Sequence, residues 1–395
     1  MRVEIFILNY NGRRLLDACL ESVLRAADRS QYDCRVTLID NSSTDRSVPM
    51  VRRLFPRVRV VCMPNDGLCS FNPVLAVTDA PYAILLNNDI ELEDDAVDPL
   101  IDALRDDPQS FMTAPLCWQR DGGEYEGFKT AVRWRLGLVQ ATARFNGCES
   151  SIAEEGLTAS AGAAFAVDVA KYNALGGFDP RYLPGRIEDL DLAIRGYLRG
   201  WHARYVPRSV AWHHGMATFE AVYGREGCDR LALRNTLLWQ WKNLRHPWHI
   251  ARQVAMYPAR VAVDVLQAPL RTRQARFRFT QALLAAWRRW RQVRRETALA
   301  ARAEAGDSPV DASRPERIAT TGEPICRRAR LRREREFFRR FSPSALRRGD
   351  ASRSNAVTDQ LVPTVERISI SPATAAHDLS AAPASTGQLV EEVTG

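Results

Sequence analysis

Four acidic residues cluster near the middle of the sequence, close behind a pair of glycines. Residues 176–179 read GGFD and residues 188–191 read EDLD. An ionised carboxylate is costly to hold in a protein unless it faces solvent, a cation or a proton that a substrate has to lose. The pattern therefore predicts an active site in which a carboxylate binds a metal ion or acts as a general base.

Polar residues follow three apolar runs in the first hundred residues. Residues 9–12 read NYNG, residues 40–45 read DNSSTD and residues 87–89 read NND. Each motif alone also fits an ordinary turn or a helix cap. Ligands of open parallel sheets bind at the carboxyl ends of the strands. We therefore expect the three motifs to converge on one rim of a sheet.

Short apolar runs alternate with segments of helical periodicity, which predicts an α/β domain with a parallel sheet. Strands are predicted over 3–8, 36–39, 58–62, 82–86 and 159–165. Helices are predicted over 15–24, 48–55, near residue 74, over 94–104 and over 189–199. Asp189 then opens its helix, where the helix dipole favours the ionised form.

The order of these motifs resembles that of the family-2 glycosyltransferases over roughly residues 1–245, and bacterial rhamnosyltransferases in particular. In that family the GGFD and ED-x-D motifs precede an arginine, a proline and a histidine, found here as Arg195, Pro207 and His213. The resemblance implies a GT-A-like α/β fold with a mostly parallel sheet and helices on both faces. The sequence departs from the family pattern at Asn87, a position where the family usually has the first acidic residue of a D-x-D motif.

The resemblance also implies a role for individual residues. Asp189 is expected to be the catalytic base, and Asp89 and His213 to hold Mg²⁺ or Mn²⁺. The expected donor-binding residues are Asn9, Asn11, Asp40, Ser42, Asn88 and Asp89, and the expected acceptor-side residues are Gly177, Glu188 and Trp212.

Structural roles compete with these assignments. Glu188 and Asp189 also fit as helix caps, and His213 beside a tryptophan also fits as a structural histidine. For Asp191 we favour an ion pair with Arg195, four residues further along the helix.

The implied reaction is an inverting, metal-assisted transfer of a sugar from a nucleoside-diphosphate sugar to a hydroxyl of a glycan or glycolipid. A sugar hydroxyl is a poor nucleophile near neutral pH, so a carboxylate has to take its proton as it attacks the anomeric carbon. The leaving diphosphate needs a hard cation. By resemblance dTDP-rhamnose is one candidate donor and envelope polysaccharide one product, although no residue selects them over UDP- or GDP-sugars.

We divide the chain into a catalytic domain over 1–225, an amphipathic helical extension over 226–300 and a largely disordered, arginine-rich tail over 301–395. The catalytic domain has a nucleotide-sugar half at 1–106 and an acceptor half at 159–218. Residues 107–158 have no assigned shape. Phe337 and Phe338 in the tail fit a surface anchor or a short helix.

Positive charge is concentrated outside the catalytic domain. Residues 271–350 hold 22 arginines, no lysine and 9 acidic residues, a formal charge of +13 against +8 for the whole chain. Basic, aromatic helices predict contact with an anionic membrane surface, and packing on the catalytic domain is the alternative. A nucleic-acid- or membrane-binding protein built on a degenerate catalytic domain is the second hypothesis. No nucleic-acid-binding motif supports it, and the basic residues lie outside the folded core.

The remaining composition narrows the class and the compartment. The eight cysteines show no C-x-x-C spacing, which favours free thiols in a reducing compartment. The sequence shows no signal-peptide pattern and no apolar run of membrane-spanning length. We therefore expect a cytoplasmic location, with peripheral attachment to the inner face of the membrane. A P-loop site is excluded because no lysine lies in that motif, and a sugar nucleotidyltransferase is disfavoured because its glycine-rich phosphate loop is missing.

Overall fold

The computed structural model describes residues 1–120, 124–145, 147–215, 217–271, 276–305 and 326–347. The strands of this part are β1 (Arg2–Asn9), β2 (Asp33–Asp40), β3 (Arg59–Cys62), β4 (Tyr82–Asn87), β5 (Ile90–Leu92), β6 (Ser110–Gln119), β7 (Tyr125–Gly127), β8 (Ala131–Arg135), β9 (Leu138–Thr142), β10 (Gly156–Thr158), β11 (Ala164–Asp168) and β12 (His202–His213). The helices are α1 (Arg13–Arg29), α2 (Ser47–Leu54), α3 (Phe71–Val77), α4 (Val97–Arg105), α5 (Val169–Ala174), α6 (Glu188–Arg199), α7 (Ala217–Asn243), α8 (Pro247–Ala255), α9 (Tyr257–Gln267), α10 (Arg278–Ala305), α11 (Arg327–Arg340) and α12 (Pro343–Arg347).

A mixed sheet forms the centre of the molecule, with the strand order β10-β12-β6-β11-β4-β1-β2-β3. The first four strands pair in parallel, as do β6 and β12. Strands after β4 add antiparallel pairings, and β8 and β9 form a separate hairpin-like sheet. The predicted α/β class is confirmed, and the sheet is mixed because strands from the second half join its edge.

Each strand predicted in the first hundred residues lies where the sequence placed it. The isoleucines and leucines of β1, β2 and β4 are buried except for Leu8, as expected for strands covered on both faces. The prediction over 159–165 is wrong in its first part, because β11 begins only at Ala164. Its small residues instead form a turn next to α6. The region without an assigned shape, 107–158, supplies β6 to β10.

The helices after residue 225 pack on the catalytic domain. Leu237, Leu238 and Trp239 of α7 are fully buried, and α10 packs along α7. Apolar side chains of α7, α10 and α11 join those of β8, β9 and α6 in a second core. The described helices include none with the length and hydropathy of a membrane span.

Part of the predicted disordered tail is folded. Helix α11 lies against α6, and Phe337 and Phe341 are each 1% exposed. The rings of both contact Tyr197, with centroid distances of 5.4 Å. The prediction of disorder over 301–395 is therefore wrong for 327–347. The rest of that prediction, apart from the end of α10 and Cys326, lies outside the described residues.

Candidate active site

The carboxyl ends of β1, β2 and β4 meet at one rim, as their motifs predict. Asn9 pairs with Asp40 in the sheet register, and Leu8 pairs with Asn87. The buried Asn9 amide donates to Asp40 Oδ1 at 2.8 Å and accepts from Asn88 Nδ2 at 2.8 Å. This network links all three motifs.

Gly12 allows this network to form. A Cβ atom at residue 12 would lie 1.9 Å from Asn88 Nδ2 and 2.6 Å from Asn9 Oδ1. Any larger residue would therefore push the two amides apart. Close packing beneath the rim thus explains why the last residue of the NYNG motif is a glycine.

A cavity of about 1350 Å³ opens beside this rim and contains the principal predicted catalytic residues. Asn88 and Asp89 line it from the end of β4, and Glu188 and Asp189 line it from the start of α6. His213, from the end of β12, lines it as well. Residues that are a hundred positions apart in the sequence thus share one cavity.

Asp89, His213 and Glu126 form a chain of polar contacts in the cavity wall. His213 Nε2 lies 3.2 Å from Asp89 Oδ2, and His213 Nδ1 lies 2.7 Å from Glu126 Oε1. Burial opposes protonation of His213, but the hydrogen bonds to Asp89 and Glu126 outweigh it and raise its pKa to about 10.

Two buried oxygens in this chain of contacts are Asp89 Oδ1 and Glu126 Oε2. Neither has a hydrogen bond within the described part of the molecule. Buried polar atoms are normally paired, and carboxylate oxygens are the ligands that Mg²⁺ and Mn²⁺ prefer. The described residues contain no group of three or more acidic, histidine or cysteine side chains in metal-binding geometry. The two unpaired oxygens are of the type that a divalent cation would accept as ligands.

Asp189 is held by the turn that precedes β11. Its Oδ2 accepts a short hydrogen bond from the Ser160 hydroxyl and one from the Gly162 amide at 3.0 Å. Gly162 has a φ of +70°, and a Cβ there would lie 1.9 Å from the Phe128 ring. The small residues at 159–163 therefore fix the orientation of the carboxylate.

Glu188 has a different environment although it precedes Asp189. Its side chain lies at the cavity wall but is almost wholly buried. Burial, with a further contribution from the charge of Asp189, raises its pKa to about 8, against the opposing effects of its own backbone amide and Arg186. Glu188 therefore retains its proton at neutral pH.

The loop that leads into α6 is strained and is held from α7. Arg186 and Ile187 have φ values of +83° and +76°, a region unfavourable for a β-branched residue. The buried Asn235 amide of α7 donates to the carbonyls of Tyr182, Gly185 and Arg186 at 2.6–2.9 Å. The helix after the catalytic domain thus positions the loop before the two carboxylates.

Asp191 has the structural role expected of it. It is fully buried and accepts from Arg195 Nε at 2.7 Å, as predicted, and from Lys242 Nζ at 2.8 Å. Asn243 and Tyr182 add bonds of 2.8 Å each. Burial disfavours its ionised form, but Arg195 and Lys242 outweigh this and lower its pKa well below the usual range. The network ties α6 to α7.

Several predicted donor-binding residues form internal contacts and do not line the cavity. Asp40 is 2% exposed and accepts from Asn9 and from the Ser43 amide. Asn11 accepts from the Thr44 amide, and Ser42 donates to the Met63 carbonyl. These three residues thus contact neighbouring parts of the rim, and their donor-binding role stays a prediction.

Two predicted acceptor-side residues also lie away from the cavity wall. Gly177, at a φ of +64°, packs against Asn72, whose side chain bonds both the amide and the carbonyl of Phe178. Trp212 donates to Glu93 at 2.6 Å. Of the acceptor-side predictions, only Glu188 lines the cavity.

Other cavity residues were missed from the sequence. Glu126 lies on β7, in the region that had no assigned shape. Asn41 lines the cavity with a buried Oδ1 that lacks a hydrogen bond among the described residues, and lies in the DNSSTD motif beside Asp40. The motif gave a usable signal for Asn41, whereas no pattern in the sequence pointed to Glu126.

Comparison with known proteins places this site in a family. The profile of Glycosyl transferase family 2 matches residues 4–152. A chondroitin synthase of Pasteurella multocida is 31% identical over 100 residues, 24% of this chain and 10% of the synthase. The N-acetylglucosaminyl-diphospho-decaprenol L-rhamnosyltransferase of Mycobacterium tuberculosis is 25% identical over 238 residues, which cover 54% of this chain and 76% of that protein.

Solved structures were compared as well. The structure of GalNAc-T7 with UDP, GalNAc and Mn²⁺ superposes with a TM-score of 0.48 at 18% identity, over 60% of this chain and 48% of that one. The chain thus spans about half of that structure and a tenth of the chondroitin synthase.

The α/β fold and the profile match define a glycosyl transferase family 2 domain over residues 4–152. The relationship to the mycobacterial protein extends over a longer part of the chain. The family match therefore covers residues 4–152 of this chain.

Proposed function

We propose that this protein transfers a sugar, with inversion, from a nucleoside-diphosphate sugar to a hydroxyl group of a glycan or lipid-linked acceptor. Asp189 is the general base in this proposal, and Asp89 with His213 holds Mg²⁺ or Mn²⁺. The observation that carries the proposal is that Asp89 and Asp189 line one cavity from opposite halves of the domain.

Asp189 suits the role of base. It lies at the first turn of α6, and Ser160 and Gly162 hold its Oδ2 in place. An acceptor hydroxyl within hydrogen-bond reach would pass its proton to this carboxylate as its oxygen attacks the anomeric carbon. The protonated Glu188 beside it can donate a hydrogen bond to a sugar oxygen.

Asp89 and His213 are the residues that would hold a divalent cation, since Asp89 Oδ1 is buried and has no hydrogen-bond partner among the described residues. A cation bound there would stabilise the charge that develops on the leaving diphosphate. Asn88 and Asn41 lie on the same side of the cavity and offer amide groups to the nucleotide. We propose dTDP-rhamnose as the first donor to test, because the mycobacterial relative is an L-rhamnosyltransferase.

An anionic membrane surface is the proposed partner of the helical extension. Large apolar side chains are exposed along α8, α9, the turn that follows α9, and α10, including Trp248 (67%), Leu266 (75%), Leu270 (86%) and Trp287 (49%). Exposed arginines lie on the same helices, as at Arg252 and Arg291. Apolar side chains flanked by arginine fit a bilayer with acidic headgroups, where a lipid-linked acceptor would reside. We call the exposed apolar side chains of this region the apolar face, which comprises Trp248, Leu266, Leu270, Leu284 and Trp287.

The function is tested by Asp189→Asn with a panel of nucleotides. We expect the variant to lose at least about a thousand-fold in kcat, because the amide cannot accept the hydroxyl proton. The thermal shift given by UDP, GDP or dTDP with Mn²⁺ should stay that of the wild type, because Asp189 lies on the acceptor side. Asp89→Ala is the matched change and should lose the metal-dependent shift. Wild-type turnover in Asp189→Asn would refute the assignment of the base.

A further inference from the structure

Two arginines of the helical extension line the active-site cavity. Arg234 lies on α7 and Arg289 lies on α10, and both side chains are half-buried. They lie on helices that contribute apolar side chains to the second core, and outside the family domain at 4–152. None of the sequence motifs includes them.

Backbone carbonyls hold the two guanidinium groups in place. Arg234 Nη2 donates to the Leu183 carbonyl at 2.5 Å, and its Nε donates to Asn235 Oδ1 at 2.9 Å. Arg289 Nη2 donates to the Pro180 carbonyl at 2.7 Å. Nη1 of each has no partner in the described part of the chain, which leaves its N–H groups available to a ligand.

The two positive charges are close enough to affect each other. Burial first, and then the neighbouring Arg289, lower the pKa of Arg234. Neither arginine forms an ion pair with a carboxylate among the described residues. Glu188 and Tyr223 act in the opposite direction on the pKa of Arg234 but do not outweigh burial and Arg289. Like charges held together in a cavity are unfavourable until an anion joins them.

Apolar residues line the cavity together with the pair. Leu183, Pro184, Val222 and Leu233 line the same cavity, and Val222 is 57% exposed. Helix α10 carries Arg289 and also carries Leu284 and Trp287 of the apolar face. A ligand bound at Arg289 can therefore reach an exposed apolar surface along a single helix.

We propose that Arg234 and Arg289 bind the phosphate groups of an acceptor in which a diphosphate is joined to a hydrocarbon chain. Guanidinium groups bind phosphate oxygens through paired, charge-assisted hydrogen bonds. The apolar neighbours then accommodate the start of the chain. The inference rests on the proposed function and names the class of acceptor for the same cavity.

A diphosphate could also come from the nucleotide donor, so the experiment uses two probes. Geranyl diphosphate in EDTA represents the lipid-linked acceptor, and UDP with Mn²⁺ represents the donor. Binding of each is measured by calorimetry on the full chain. Arg289→Gln is compared with Arg288→Gln, which removes an exposed arginine one position earlier on the same helix.

We expect Arg289→Gln to weaken geranyl diphosphate binding about ten-fold or more, the effect of losing one charged hydrogen-bonding group. Arg288→Gln should stay within about two-fold of the wild type, by the same scale. UDP with Mn²⁺ should bind the wild type and both variants equally. Arg234→Lys, which retains the charge but not the planar fork, should weaken geranyl diphosphate and serves as a second test if Arg289→Gln is poorly folded.

Three results would overturn the inference. The wild type could fail to bind geranyl diphosphate, Arg289→Gln could bind it normally, or Arg289→Gln could weaken UDP with Mn²⁺ by as much as geranyl diphosphate. The last result would assign the pair to the donor. Failure of UDP, GDP and dTDP to bind the wild type would instead count against the proposed function, whatever geranyl diphosphate does.

Discussion

Glu188 and Asp189 are neighbours in the chain but have different surroundings. Asp189 accepts hydrogen bonds from Ser160 and Gly162, whereas Glu188 is buried against the cavity wall. Burial raises the pKa of Glu188 to about 8. The first turn of α6 therefore presents the proposed base and, next to it, a carboxyl group that can donate a hydrogen bond.

Glu188→Gln should change how stability depends on pH. The pKa of Glu188 is raised from an ordinary value of 4.5 to about 8, so between these pH values the folded protein retains a proton that the unfolded chain releases. The contribution of Glu188 to stability is therefore greatest below pH 4.5 and falls as the pH rises towards 8, by at most about 1.4 kcal/mol per pH unit. Glutamine removes this loss, so the variant should gain stability over the wild type from pH 5 to 8.5.

Urea unfolding at each pH measures the effect. Glu21→Gln, which removes an exposed negative charge from α1, is the control and should follow the wild type. Other titrating groups, His213 among them, are common to all three proteins and cancel in the comparison. Parallel profiles for Glu188→Gln and the wild type would show that Glu188 titrates normally.

The sequence predicted those site residues that belong to local patterns. Asp189 at a helix start, Asp191 paired with Arg195 and Asp89 at a strand end all follow from spacing within one element. Glu126 was missed because it reaches His213 through the pairing of β7 with β6, which no local pattern encodes. Asn9 and Asp40 lie at the strand ends where the sequence placed them, but the sequence could not show that their side chains are hydrogen-bonded to each other.

Helix α11 shows how composition can hide a structural signal. Glu334, Phe337 and Phe341 recur at helical spacing and are all buried. The many arginines around them favoured a prediction of disorder. The three residues needed partners from distant parts of the chain, including Tyr197 and His249, before the spacing could be interpreted.

Glu334 joins α11 to the start of α8. Its carboxylate accepts from the amides of Arg245 and His246 at 2.8 and 3.0 Å and from His249 Nδ1 at 2.7 Å. These amides precede α8, where the helix dipole favours a negative charge. A side chain from a distant helix thus takes the place of an N-cap residue at the start of α8.

Removal of α11 should destabilise the active site. A chain that ends at residue 325 loses Phe337 and Phe341, each of which contributes about 1.5–3 kcal/mol by burial. It also uncovers Tyr197 on α6, the helix that carries Asp189. We expect the melting temperature to fall by about 5 °C or more, with loss of turnover. A chain that ends at residue 347 is the control, because it retains α11 and all of its described contacts. Equal stability of the two truncated chains would contradict this role for α11.

Over the whole molecule, the cavity and the apolar face belong to one folded unit. Helix α10 packs on α7 inside and exposes Leu284 and Trp287 outside. The helical extension is therefore both a support for the active site and the proposed contact with a bilayer. The sequence hypotheses of packing on the domain and of membrane contact are compatible, since they use different faces of the same helices.

Changes in the apolar face should weaken membrane binding and leave the fold intact. Leu266→Glu with Leu270→Glu places two charges where apolar side chains would enter the bilayer, and we expect binding to phosphatidylglycerol vesicles to fall about ten-fold or more. Sedimentation with vesicles measures this, and the melting temperature should stay unchanged. Leu54→Glu with Val77→Glu alters two exposed apolar residues elsewhere and is the control. Equal vesicle binding by both double variants would rule out the apolar face as the contact.

The packing of α11 on α6 also determines when the protein can become active during synthesis. Chains grow from the amino terminus, and the family domain and Asp189 leave the ribosome before Phe337 and Phe341. Until those two rings arrive, Tyr197 of α6 lacks both of these aromatic partners. The packing of the last described helices is thus the final step in forming the second core. A chain truncated before residue 326 contains the sequence motifs but cannot complete this core.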